Sequence, residues 1–96
     1  MAIQWSDKDI SLEKIAEIEE ILEYDIGVGH EVDGHDFGNG QANIFLLTIN
    51  PQKLFEEIMG LLDKSELVGA KIAYRQENKN EFTILWPSDA KHFEIN

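Results

Sequence analysis

The residues best suited to chemistry lie together in one short segment, His30-Glu31-Val32-Asp33-Gly34-His35-Asp36. Imidazole and carboxylate groups at this density favour metal binding or proton transfer near neutral pH. In a regular strand His30 and His35 point to opposite faces, so only a bulge at Gly34 would bring them together. Because zinc needs three or four converging ligands, and catalysis needs a nucleophile and a pocket, we expect no metal, no cofactor and no enzymatic activity.

The element that carries this segment is predicted to be a β-hairpin. Residues Val28 to Phe37 and Ala42 to Ile49 flank Gly38-Asn39-Gly40, a tripeptide that tolerates the positive φ values of tight turns. The second strand is apolar on both faces, which is typical of a central strand. The first strand mixes glycine with polar residues and is predicted to lie at a sheet edge.

Two amphipathic helices flank the hairpin in the sequence. Ser11 or, alternatively, Ser6 caps the first, and Asn50 with Pro51 starts the second, which ends in a polar turn at Asp63 to Glu66. The first apolar stripe comprises Leu12, Ile15, Ile18 and Leu22, and the second comprises Leu54, Phe55, Ile58, Leu61 and Leu62.

Two further strands, Val68 to Arg75 and Glu81 to Trp86, precede a tail from Ala90 to Asn96. The order is α-β-β-α-β-β, with residues 1–6 as a short lead. Strands joined through a helix should run parallel, and the last strand fits between them. The predicted fold class is therefore α+β, a permuted ferredoxin-like two-layer sandwich with a four-stranded antiparallel-type sheet and both helices on one face.

The sheet face opposite the helices is expected to be uncovered. If the odd-numbered side chains of the second hairpin strand face the helices, the open face exposes an apolar patch, through which we expect self-association. The helix-facing set would then be Phe45, Leu47 and Ile49, and the exposed patch would comprise Ile44, Leu46 and Leu85.

Length and composition predict one domain spanning residues 1–96 and exclude several classes of function. The net charge of -11 argues against nucleic acid as a ligand, because phosphate binding requires lysine and arginine. There is no cysteine, no apolar run reaches membrane-spanning length, and no signal-peptide pattern opens the chain. We therefore expect a cytoplasmic protein that does not bind membranes.

The negative charge is concentrated in the first part of the chain. Residues 1–36 hold eleven acids against two lysines, whereas residues 37–96 hold eight acids against six bases. A concentrated acidic surface favours a basic protein partner, although such acids can also serve only solubility. The candidate partner-binding residues are Glu13, Glu17, Glu20, Glu31, Asp33 and Asp36. The alternative function is a dimeric small-molecule-binding or regulatory domain, with a ligand near His30, His35 and Tyr74.

One further feature is a resemblance in the loops and turns. The run Asp33 to Gly40, followed by Asn43-Ile44-Phe45, by Asn50-Pro51 and by Leu85-Trp86-Pro87, resembles small, functionally uncharacterised bacterial α/β proteins of about this length. At the level of class, a small acidic α/β protein without catalytic equipment is similar to immunity proteins, which bind basic toxic nucleases. This similarity implies a non-enzymatic inhibitor of a basic, nuclease-like partner.

Overall fold

The computed structural model describes all 96 residues and contains one five-stranded sheet and three helices. The elements are β1 (Ala2–Ser6), α1 (Leu12–Asp25), β2 (His30–Gly38), β3 (Gln41–Thr48), α2 (Pro51–Leu61), α3 (Lys64–Leu67), β4 (Lys71–Tyr74) and β5 (Thr83–Trp86). The strand order is β2-β3-β1-β4-β5, and every neighbouring pair is antiparallel. The predicted α+β class is confirmed.

Strand β1 lies at the centre of the sheet, which corrects the predicted arrangement. Ile3 pairs with Ile44 of β3 on one side and with Ile72 of β4 on the other. The prediction of a permuted, four-stranded sheet with residues 1–6 as a lead is therefore wrong, and β5 lies at the outer edge. The physical reason is that the crossover through α2 leaves a gap between β3 and β4, and the alternating residues of β1 fill it.

The predicted hairpin and its edge position are confirmed. Strands β2 and β3 are joined by a two-residue turn in which Asn39 (φ 56°) and Gly40 (φ 87°) both adopt the left-handed conformation. This is the conformation of a type I′ turn, whose twist matches that of the flanking strands. Strands β3 and β4 are parallel to each other, as the helical connection between them predicted.

A single core forms between the sheet and α1 and α2. The helices contribute Ile15, Ile18, Leu22, Leu54 and Ile58, and the sheet contributes Ile3, Trp5, Ala42, Ile44, Leu46 and Ile72. The predicted facing of β3 is thus inverted. Ile44 and Leu46 are buried against the helices, whereas Leu47 is exposed on the opposite face. The register of the β1–β3 pair determines which face of β3 meets the helices, because Ile44 lies opposite the buried Ile3 of the central strand.

The helix ends follow the capping residues of the sequence. The Ser11 hydroxyl accepts a hydrogen bond from the Lys14 N–H at 3.0 Å, and the Asn50 side chain accepts one from the Lys53 N–H at 3.1 Å. The predicted polar turn after α2 is instead the short helix α3. No helix of the chain has both the length and the apolar character that crossing a membrane requires.

The strand predicted from Val68 begins later, at Lys71. Val68 is exposed, and Gly69 adopts a positive φ of 74° that turns the chain into β4. Ile72 and Ala73 are both fully buried. Strand β4 is therefore covered on both faces.

Candidate functional site

His30 is held between two elements by a chain of hydrogen bonds. Its Nδ1 lies 2.7 Å from the Thr48 hydroxyl oxygen, across the β2–β3 pair, and its Nε2 lies 3.0 Å from Oε2 of Glu57 in α2. The other oxygen of Glu57 accepts the N–H of Gly27 at 2.7 Å. The His30 side chain is only 1% exposed, so neither ring nitrogen is free for a ligand.

Glu57 is the residue of this cluster whose pKa is shifted. The hydrogen bond from the Gly27 N–H, followed by the hydrogen bond from His30, holds the pKa of Glu57 below its ordinary value. An ionised Glu57 therefore accepts from both partners at neutral pH. The cluster fastens the start of β2 and the segment before it to α2, which makes it a structural element of the fold.

A bulge brings His35 to the same face as His30 without joining the two residues. The register of β2 on β3 shifts between Val32 and Gly34, which places Asp33 as the extra residue. The His35 Nδ1 then lies 3.1 Å from Oε2 of Glu19 in α1, whereas His30 contacts α2. No group of three metal-ligating side chains occurs in the chain.

An open groove of about 1050 Å³ lies at the end of the sheet where β1 begins, and it opens onto the face opposite the helices. Strands β3 and β4 continue past the start of β1 there, so their ends form the two walls. The apolar lining includes Phe45, Leu47, Ile49, Tyr74, Phe82 and Ile95. Two of these side chains, Leu47 and Ile49, are 54% and 89% exposed, a large apolar area for a single small surface.

The charged residues of the groove are mainly acidic. Glu31, Asp33 and Glu77 line it, and Arg75 is the only lysine or arginine among its lining residues. Arg75 is itself engaged, because its guanidinium donates to the Lys79 carbonyl at 3.1 Å and lies 5.7 Å from the centre of the Phe82 ring. The other positive group is the N-terminal ammonium of Met1, which also lines the groove and interacts with Asp33. The groove therefore presents an excess of carboxylates beside exposed apolar side chains.

The six predicted partner-binding residues do not form one surface. Glu13, Glu17 and Glu20 are exposed on the outer side of α1, on the helix layer. Glu31 and Asp33 line the groove on the opposite side of the sheet. Asp36 lies opposite Asn43 in the β2–β3 ladder, outside the groove.

Part of the α1 acidic surface is already neutralised within the molecule. Lys14 Nζ lies 3.3 Å from Glu17 and 2.9 Å from Glu66, which reaches up from α3. The hydrogen bond from the Asp63 N–H, followed by Lys14, lowers the pKa of Glu66, and the Glu66 bond in turn raises the pKa of Lys14. Glu17 is therefore less available to a partner than the acids of the groove.

The three residues of the alternative ligand site are also separated. Tyr74 lines the groove, whereas the ring of His30 is buried toward α2 with both nitrogens occupied, and His35 is hydrogen-bonded to α1 outside the groove. The groove residues Leu47, Phe82 and Arg75 were not among those predicted to bind a partner or a ligand. The two-faced apolar pattern of residues 44–49 was the available signal, because it required a second covered or occupied face.

Together, the fold and the site define a small α+β protein with one helix-covered sheet face and one grooved face that combines apolar and acidic groups. Comparisons of the chain with protein-family models, with curated proteins and with solved structures find no match. Its function must therefore be argued from the groove itself.

Proposed function

We propose that the chain is a non-enzymatic protein-binding module whose groove receives a basic segment of a partner protein that also bears apolar side chains. The observation that carries the proposal is the composition of the groove, in which the exposed Leu47 and Ile49 lie beside Glu31 and Asp33. A segment with lysine or arginine next to apolar residues complements both features.

The dimensions of the groove favour a polypeptide segment over a small molecule. Its volume of about 1050 Å³ is at the upper end of what small-molecule sites enclose, and it is open along the sheet. The alternative, a dimeric small-molecule-binding domain, is less favoured because two of its three candidate ligand-binding residues, His30 and His35, already hydrogen-bond to Glu57 and Glu19. The self-association expected through the open face competes with the C-terminal tail, which crosses that face.

The identity of the partner can be narrowed by charge. A chain with net charge -11 associates fastest with a strongly basic protein, and a nuclease-like protein is one such partner. An immunity-type inhibitor acting in the cytoplasm is the form of this function that we propose. With the short helix α3 counted together with α2, the chain follows the order β-α-β-β-α-β from β1 to β4, and we infer an unpermuted ferredoxin-like unit extended by β5.

The proposal is tested by selecting ligands from a displayed library of random nine-residue peptides on the immobilised full chain. We expect enriched peptides to combine lysine or arginine with leucine, phenylalanine or tryptophan. Their affinity should fall when salt is raised from about 50 mM to about 500 mM, because screening weakens exposed ion pairs.

Two variants with the same change in charge locate the binding. Glu31→Gln with Asp33→Asn removes two charges at the groove, and Glu13→Gln with Glu20→Gln removes two charges on α1. The proposal predicts at least about a fivefold loss of affinity in the groove variant and less than a twofold change in the α1 variant. Enrichment of peptides without basic residues, or an equal loss in both variants, would contradict it.

A further inference from the structure

The C-terminal tail lies across the sheet face beside the groove, in an extended conformation that has no strand partner. Its residues 91–96 make no backbone–backbone hydrogen bond to the sheet. They are instead held by side chains that project from the strands. This is an unusual way to attach an extended segment, because strands normally pair through their backbones.

The side chains of the sheet bind the tail backbone at alternate residues. Gln4 Nε2 and Gln41 Nε2 both donate to the Glu94 carbonyl, at 2.9 and 3.0 Å. Lys71 Nζ donates to the carbonyl of His92 at 2.8 Å, and the Asn96 N–H donates to Oε1 of Gln41 at 3.0 Å. The contacts at residues 92, 94 and 96 follow the two-residue period of an extended chain.

Three buried or half-buried amides, those of Gln4, Gln41 and Asn43, show that the sheet side of this contact is preorganised. Gln4 Nε2 also donates to Asn43 Oδ1 at 3.0 Å, and Asn43 is only 1% exposed. Gln41 Oε1 accepts from the Asn43 side chain at 3.4 Å. The three amides orient one another, so the Gln4 and Gln41 side chains are held in position to hydrogen-bond an extended backbone that lies on this face.

Apolar anchors on the tail occupy the remaining alternate positions. The Phe93 ring lies 4.8 Å from the ring of Phe82, centre to centre, and Ile95 is the one tail residue that lines the groove. Apart from these two half-buried side chains and Ala90, the residues from Ala90 to Asn96 are exposed. The tail is thus attached to the sheet through side-chain contacts, and Ile95 meets the proposed partner site, whereas Asn96 ends at the β2–β3 turn, where its side chain donates to the Asn39 carbonyl at 3.0 Å.

We infer that residues 90–96 are a detachable strap on a peptide-binding track formed by Gln4, Gln41, Asn43 and Lys71, and that the basic partner segment displaces the strap and extends from the groove onto the track. The track recognises an extended backbone through carbonyl acceptors at alternate residues, with apolar side chains between them. The inference rests on the proposed function for the identity of the occupant.

The track can be tested without the partner. The probe is a fluorescent peptide with the sequence of residues 88–96, and its binding to the full chain is measured by anisotropy. In the wild-type chain the attached strap competes at the millimolar effective concentration typical of a short tether. The full-chain variant Phe93→Ser with Ile95→Ser weakens the strap, and it should bind the peptide at least about tenfold more tightly than wild type.

Matched controls separate the track from general effects. Val28→Ser with Val68→Ser removes two exposed apolar side chains elsewhere and should bind the peptide as weakly as wild type. Adding Gln41→Met to the strap variant should remove most of the gained affinity. Equal binding to the strap variant and wild type, or binding to neither, would overturn the inference and leave the groove experiment unaffected.

A second measurement uses the wild-type chain alone. Trypsin without denaturant should cleave after Lys91 well before it cleaves after Lys71 in β4, because only the strap opens without unfolding the sheet. Cleavage at both sites at the same rate would show that the tail opens only with the whole molecule, which would also overturn the inference.

Discussion

At the scale of the residue, hydrogen bonds determine the roles of His30 and His35, the two histidines that the sequence offered for metal binding or proton transfer. The His30 and His35 rings each meet a glutamate, but on different helices, so one histidine segment became two separate structural contacts. The buried His30 is satisfied on both nitrogens, which is how a buried polar group avoids the cost of an unpaired donor or acceptor.

Glu57 gives a pH dependence with a defined sign. Because its pKa is lower in the folded protein than its ordinary value, the ionised side chain stabilises the fold above about pH 4.5, and this stabilisation is lost as the pH falls. Glu57→Gln should therefore lower the free energy of unfolding at pH 7 and have progressively less effect toward pH 3. Urea unfolding across this range measures it. A difference that is constant with pH, or one that the exposed neighbour variant Glu56→Gln reproduces, would contradict the prediction.

Two glycines should respond to alanine with opposite signs. Gly34, at the bulge, has a φ of 136°, whereas Gly60 is near the end of α2 with open space at the position of a Cβ. Gly34→Ala should cost about 1–3 kcal/mol of stability because the backbone is strained for alanine. Gly60→Ala should add about 0.5–1 kcal/mol, because alanine favours the helix. Urea unfolding midpoints check both, and the same sign for the two variants would be inconsistent with this backbone.

At the scale of the element, local patterns predicted most segments, and long-range pairing decided the rest. The hairpin, the caps at Ser11 and Asn50 and the two helices followed from residue types within a few positions. Strand β1 did not, because five residues are too short to identify a central strand. Its place depends on β3 and β4, which lie about 40 and 70 residues further along the chain. The facing of β3 depended on the same pairing.

The central position of β1 predicts a measurable cost for a small change at Ile3. Ile3→Val should destabilise the protein by about 0.5–1.5 kcal/mol, because the side chain is fully buried between the sheet and the helices. Ile49→Val, at an exposed position, should stay within about 0.5 kcal/mol of wild type. Thermal or urea unfolding would measure both, and a neutral Ile3→Val would support an unpaired lead in place of a central strand.

At the scale of the whole molecule, the acidic charge is divided between the two layers. The sequence located the charge correctly in residues 1–36, but it could not show that α1 and the groove lie on opposite sides of the sheet. The groove itself was not predictable from local patterns, because its walls come from the ends of β3 and β4 and its rim from β2. Only the apolar residues on the second face of β3 indicated that this face is covered by another segment or by a partner.

The most direct test of the account is to locate the binding surface by nuclear magnetic resonance. Backbone amide spectra of the full chain would be recorded while the tightest basic peptide from the library selection is added, at low and at high salt. We expect shifts centred on the groove, at Glu31, Phe45, Leu47 and Tyr74, that weaken at high salt. Shifts centred on Glu13, Glu17 and Glu20 of α1, with the groove unchanged, would contradict it.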